Sequence, residues 1–381
     1  MKLVYDEFGD NMMVAADDST PVGLDGWHPY TDIDKAKLRI LLEAKMEREV
    51  SERDVRDFLS VTSELHRMDR GRLWLEPLKW DGVPRAGDFM HAYCGAPSND
   101  YTRAVSRYIW TALAGRVLEP GCKADMAPVL VSPQGWGKTR AVQAIAPRPE
   151  FFAEISLGEK ESDLSRKLKG RVVCEMAELD GVNKRDIEWL KAFISRTHEM
   201  WVPKYSENVA SFARRCLLIG TCNRDDFLVD DTGNRRWLPI RLEHKSLCYT
   251  ADRRIRADLE QLWAEGKAMF LNFGVLFQEA EELAKQVHSK FTYDDSWADS
   301  IYQWLQTQPV GLDSKPAGPA PVDREYIKLV DVLQGALKLD TSHRHQGVEK
   351  RAGAILRNLG YESRTQRLEG RVQRVWKRKE A

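Results

Sequence analysis

Apolar residues fall along this chain in two registers. Short unbroken runs read as buried strands: Val129-Leu-Val131, the run Arg171-Val-Val-Cys-Glu175, Leu217 to Ile219, and Trp237 to Ile240. Between them the spacing turns helical. Thr31-Asp32 offers an N-cap to Leu38, Leu41, Leu42, Ala44 and Met46, and Ser51-Glu-Arg-Asp54 opens a second start before Val55, Phe58, Leu59 and Thr62. Tyr101 to Val117 predicts a longer helix with Val105, Tyr108, Ile109, Ala112 and Leu113 as its amphipathic set. Further helices are predicted over Arg140 to Ala146, around Asp163 to Leu168 with an end near Gly170, over Asp186 to Ser195, and through residues 250–290. Residues 1 to 30 read as an irregular arm or short hairpin. Near the C-terminus, Ile327, Val330, Leu333 and Leu337 suit one helix face. Gly347 to Leu359 suits a second helix, and Gln366 to Lys377 alternates like a hairpin.

Strands alternating with helices predict an α/β chain. The reading divides it into an N-terminal arm and helical region (1–70), a central α/β domain with its preceding helical segment (71–308), a proline-rich linker (309–322) and a small basic C-terminal domain (323–381). That last stretch holds 14 Lys and Arg against 8 Asp and Glu. Helices followed by a hairpin there resemble a winged helix, and Arg371 and Arg374 are its candidate phosphate contacts. A merely solvated basic face is the competing reading.

Composition narrows the class. The formal net charge is zero over 381 residues, so contact with nucleic acid must be local, not driven by a global field. The six cysteines form no C-x-x-C pair and read as reduced thiols. Neither a signal segment nor a bilayer-length apolar run is present, which predicts a soluble cytoplasmic protein.

The chemistry concentrates after the Val129 run. Ser132-Pro-Gln-Gly-Trp-Gly-Lys-Thr139 places two glycines, a lysine and a threonine between a strand and a helix. This is the layout of a phosphate-binding P-loop. Backbone N–H groups of Gln134, Gly135, Trp136 and Gly137 would turn around phosphate oxygens. Lys138 would reach the β/γ-phosphates, and Thr139 would ligate Mg²⁺. The pattern departs from G-x-x-x-x-G-K-[ST] at Ser132, where Pro133 forces an extended entry. Glu175 follows a strand and Glu178 stands three residues on. One suits Mg²⁺ and the other the attacking water, with Glu175 assigned to the metal and the reverse order left open. Asn223 sits just past the Leu217 strand. Arg235 and Arg236 either stabilise a transferring phosphoryl group from a neighbouring subunit or clamp Asp230 and Asp231. His198 to Tyr205 interleaves basic and aromatic residues, as a single-strand surface does.

Several of these segments run in one order: Trp80-Asp-Gly-Val-Pro-Arg85, Gln134-Gly-Trp-Gly-Lys-Thr139, Glu175-x-x-Glu178, Pro203-Lys-Tyr205, Ile219-Gly-Thr-Cys-Asn223 and Thr232-Gly-Asn-Arg-Arg236. Over roughly residues 60–245 this resembles the virulence-associated E family of phage and mobile-element P-loop proteins, related to superfamily-three replicative helicases. The resemblance implies an AAA-like, helicase-type P-loop NTPase core using ATP and Mg²⁺. It also implies a homo-oligomer, expected to be a hexameric ring, with ATP between subunits and single-stranded DNA in the channel. Carried over by position, Lys138 and Thr139 are the Walker A pair, Glu175 and Glu178 Walker B, and Asn223 sensor 1. Arg235 or Arg236 is the finger, and Lys204, with His198 nearby, the channel DNA contact. Helicase activity in phage or mobile-element replication is the expectation, with duplex DNA at the C-terminal domain and a separate primase or initiator as further partners. A non-unwinding loader and a nucleotide-gated DNA-binding regulator are the alternatives.

Overall fold

β1 (Lys2–Asp6) and β2 (Asn11–Ala15) form an antiparallel hairpin in the computed structural model. The structure describes residues 1–15, 17, 20–156, 158–177, 179, 184–201, 210–224, 234–288, 291, 296–309, 318–339, 346–368 and 371–378. β3 (Trp27–Pro29) joins β2, and after helices α1 (Asp32–Met46) and α2 (Glu52–Leu65) the short β4 (Arg67–Met68) runs parallel to β1. The expected short hairpin is thus half of a four-stranded sheet, because β4 is supplied from beyond two helices. Both helix starts are local chemistry. Thr31 and Ser51 each form a capping box, with Asp34 and Asp54 returning the bond to the cap backbone. Leu3, Val14, Leu38, Val50 and Val55 close a small core between this sheet and its helices.

α3 (Arg70–Leu75) and α4 (Phe89–Ala92) lead to α5 (Asp100–Leu118), capped by Asn99. The expected face of α5, Val105, Tyr108, Ile109, Ala112 and Leu113, is buried, and burial extends beyond it to 15 of the helix's 19 residues. The helix is covered on several sides, by α4, by the main sheet and by a long helix from later in the chain.

The main sheet follows. β5 (Ala127–Val131), α6 (Lys138–Ile145), β6 (Phe152–Ile155), α7 (Glu161–Leu168), β7 (Val173–Met176) and α8 (Lys184–Ile194) alternate along the chain. Next come an antiparallel ribbon, β8 (His198–Trp201) with β9 (Ala210–Ala213), then β10 (Leu217–Cys222) and β11 (Trp237–Arg241). β5, β6, β7, β10 and β11 form an all-parallel sheet in the order β11-β5-β10-β7-β6. Such sheets are buried on both faces, which explains apolar runs in place of alternation. Along β5, Leu130 faces one core with α5 and α6, while Ala127, Val129 and Val131 face another with Leu164, Leu168, Leu190 and Phe193. Pro239 lies in the edge strand β11, where a missing donor is tolerated.

α9 (Lys245–Tyr249), α10 (Ala251–Phe273) and α11 (Gln278–Val287) close this unit. α10 is the long helix over α5. Gly266 permits the approach, since a Cβ there would sit 2.8 Å from the Trp110 carbonyl oxygen. No helix among the described residues is long and apolar enough to cross a membrane. All six cysteines are free thiols.

The chain divides into two units, Met1–Thr292 and Tyr293–Ala381. The second contains α12 (Ser296–Gln306), α13 (Leu329–Gly335), α14 (Gln346–Asn358) and the hairpin β12 (Tyr361–Leu368) with β13 (Arg371–Arg378). Its core gathers Ile301, Leu305, Ile327, Val332, Leu356 and Trp376. Ile327, expected on a helix face, instead makes a β-bridge with Trp376, because the helix starts only at Leu329. Residues 310–317 of the proline-rich linker lie outside the described residues.

Candidate functional site

The crevice is set by strand order. β5 passes the chain through α6 to β6 at the far edge, whereas β10 passes it to β11 on the other side of β5. Connections leaving the carboxyl ends of neighbouring β5 and β10 therefore diverge, the arrangement in which open α/β sheets hold ligands. Val131 and Cys222 pair there, so the loop 132–137 and Asn223 emerge side by side.

The loop is built by its glycines. Gly135 (φ 79°) and Gly137 (φ 96°) both occupy the left-handed region, and Gly137 is the N-cap of α6. Ser132, the departure from the glycine pattern, is not among the residues with positive φ. Its N–H donates to the Cys222 carbonyl at 3.3 Å, which aligns the loop entry with β10. A backbone that needs no positive φ there accepts serine.

Lys138 is buried, and its ammonium is held within the loop. It donates to the Ser132 carbonyl at 2.6 Å and to Asn223 Oδ1 at 3.0 Å, with the Ser132 hydroxyl and the Pro133 carbonyl each at 3.3 Å. Thr139 Oγ1 donates to Glu175 Oε1 at 2.9 Å, and Thr221 Oγ1 donates to the same oxygen at 2.8 Å. Glu175 is wholly buried within β7, one residue short of its end, and its Oε2 has no hydrogen-bond partner among the described residues. Burial pushes its carboxyl up from the usual range, the two hydroxyls pull it back, and Glu154 on the neighbouring strand adds to the rise. The arrangement thus joins an anion-accepting loop at a helix N-terminus to a buried carboxylate with one open oxygen. Hard divalent cations take oxygen donors of this kind.

The structure gathers Gln134, Gly135, Trp136, Gly137, Lys138, Thr139, Glu175 and Asn223 at this edge. Trp136 is half-buried against the core, leaving Gln134 and Gly135 exposed. Thr221 is the residue that sequence reasoning missed. Its signal was present in Thr221-Cys-Asn223, a hydroxyl two residues before the asparagine and therefore on the same side of the strand.

Arg235 and Arg236 lie elsewhere. They form a short helical turn just before Trp237, which pairs with Ala127 at the amino end of β5. About 13 Å of strand separates that edge from the glycine loop. Arg236 Nε donates to Ser195 Oγ at 2.6 Å, and Arg235 is exposed, 4.0 Å from Glu281 on α11. Neither reaches the loop of its own chain. His198 also belongs to this amino edge, exposed at the start of the β8–β9 ribbon. The ribbon's base is fixed by Arg214, which is buried. It bonds both Glu199 Oε1 and the carbonyls of Phe193 and Ile194. Arg374 is in the second unit, exposed on β13, with its Nε donating to Ser363 Oγ at 2.6 Å. Of Arg371 only its place in β13 is described. Glu178 and Lys204 lie outside the described residues, as do Asp230 and Asp231.

The fold and this edge define a mixed α/β protein whose glycine loop and buried acid meet where the sheet's connections diverge. Residues 75–293 match the virulence-associated protein E-like domain, and the chain belongs to that family. Two solved apo structures of the NrS-1 C-terminal region align with it at 12% identity, covering 98% of this chain and 95% of the other, with TM-scores of 0.49 and 0.46. Comparison with curated proteins finds no match.

Proposed function

We propose that this chain is an ATP-dependent DNA helicase or translocase of phage or mobile-element replication, built on a P-loop NTPase core. The observation that carries the reading is the convergence on one crevice of Lys138 and Thr139 from the start of α6, Glu175 from β7 and Asn223 from just past β10. In that reading the loop amides and Lys138 bind the triphosphate, exchanging the ammonium's present carbonyl partners for phosphate oxygens. Thr139 and Glu175 hold Mg²⁺, which supplies charge neutralisation at the β- and γ-phosphates. The open Oε2 and the Thr139 hydroxyl fit that ion. Asn223, which accepts from Lys138, marks the γ-phosphate position. Glu178 is proposed for the attacking water.

Arg235 and Arg236 sit too far from their own loop, so a role in hydrolysis requires a neighbouring subunit. This fits ATP held between subunits, and the hexameric ring is proposed from the family resemblance. Lys204 and His198 are proposed for single-stranded DNA in the channel. The second unit is proposed as a winged helix whose Arg371 and Arg374 contact duplex phosphates.

The test is ATP hydrolysis and strand displacement on a forked duplex. The native chain should do both, and Lys138→Ala should hydrolyse at least ~100-fold more slowly. Hydrolysis without displacement would mean a loader or remodelling ATPase. Binding of ATP and DNA without hydrolysis would mean a nucleotide-gated regulator.

A further inference from the structure

The nucleotide reading leaves one half of its ligand without a partner. The loop and Lys138 account for phosphates, but none of the residues assigned above contacts a base. The loop's own aromatic, Trp136, is turned against the core. A different aromatic stands beside the loop. The end of α9 abuts Gly137 so closely that a Cβ there would lie 3.4 Å from the Cys248 carbonyl and 3.5 Å from Tyr249 Cα.

Tyr249 is clamped in place by Arg140, the residue that follows Thr139. The guanidinium donates from Nη2 to the Tyr249 carbonyl at 2.9 Å and lies 4.6 Å from the ring centroid. Asp252 stands 4.0 Å from its Nη1. Arg140 is thereby committed to Tyr249 and Asp252, and is not placed as a phosphate ligand. Its guanidinium occupies one side of the ring, yet Tyr249 remains 55% exposed. An exposed aromatic with a cation against its ring, next to the first turn of the helix that follows the glycine loop, suits a flat heterocycle one ribose away from the α-phosphate.

We infer that the open face of Tyr249, backed by Arg140, is the stacking platform for the base of the bound nucleotide. This rests on the nucleotide reading of the glycine loop and adds the residue that holds the base. Stacking on a π-face discriminates a base from no base more than one base from another.

The experiment is calorimetric binding to the full chain of two ligands, a non-hydrolysable ATP analogue and inorganic tripolyphosphate, each with Mg²⁺. Tyr249→Ala should weaken the ATP analogue by about 10- to 100-fold and leave tripolyphosphate unchanged, while Tyr249→Phe should stay within about threefold of the native chain. Unchanged analogue binding by Tyr249→Ala would overturn the platform and leave the phosphate site standing. Equal weakening of both ligands would also overturn it, since a structural role moves both. If the native chain binds neither ligand, the nucleotide reading itself fails and the platform falls with it.

Discussion

Two buried carboxylates, Glu199 on the β8–β9 ribbon and Glu175 on β7 of the five-stranded sheet, are treated differently. Glu199 is fully buried and meets Arg214, whose remaining donors are spent on the Phe193 and Ile194 carbonyls. Glu175, at the carboxyl edge, is equally buried. It accepts from two hydroxyls on one oxygen and, among the described residues, from nothing on the other. The first pair is a closed structural clamp, joining α8 to the β8–β9 ribbon. The second is a buried carboxylate that the fold holds at a cost, which the Mg²⁺ of the proposed function would offset.

The strongest test of that contrast is Arg214→Ala. Leaving buried Glu199 with only Arg196 at 3.8 Å and the Ser165 hydroxyl at 3.3 Å should cost about 3 kcal/mol and lower the first urea unfolding midpoint, while the pair Glu199→Leu with Arg214→Met should recover most of it. If Arg214→Ala unfolds like the native chain, the clamp is not structural.

Glu175→Gln should behave in the opposite sense. Hydrolysis should fall by at least ~100-fold, yet stability near neutral pH should rise. The sign follows from burial, which raises the carboxyl's folded pKa above its unfolded value. The folded state then binds more protons between those two values, so stability falls as pH rises through that window and returns as pH falls. Thermal unfolding of both chains should show the variant ahead at high pH, with the gap closing on acidification. A gap that widens on acidification would mean that Glu175 is stabilised as its anion.

The smallest stability effects belong to the finger candidates. Arg235→Ala, which removes an exposed and distant ion pair, should change stability by less than about 0.5 kcal/mol. Arg236→Ala loses the bond to Ser195 and should cost about 1 kcal/mol. Mixed with Lys138→Ala subunits, the variant at the true finger should recover part of its hydrolysis. An intact oligomer that recovers nothing in any mixture would remove the trans assignment.

Much of the glycine loop was readable beforehand. Gly135 and Gly137 answer to their own backbone angles, and Lys138 and Thr139 follow them directly. Helix starts at Thr31 and Ser51 were equally plain, since a capping box closes within four residues. Other features resisted. α5 shows an amphipathic pattern but is covered on several sides, and its coverage comes from α10, far along the chain. Ile327 looked helical by spacing and became a bridge partner of Trp376, 49 residues later by number. Thr221 was marked only by its spacing in Thr221-Cys-Asn223, because a threonine in a strand is ordinary until its hydroxyl has something to face.

The sequence by itself determined the elements and the chemical identity of the loop, because capping, left-handed glycine and unbroken apolar runs act over a few residues. Only the tertiary structure decided which residues meet. Thr139 finds Glu175 across 36 residues, Thr221 finds it across 46, and Lys138 finds Asn223 across 85. Strand order controls those meetings, and it also carries Arg235 and Arg236 to the far edge. Pairing between strands is a choice among distant partners with similar apolar runs, and no local periodicity records it.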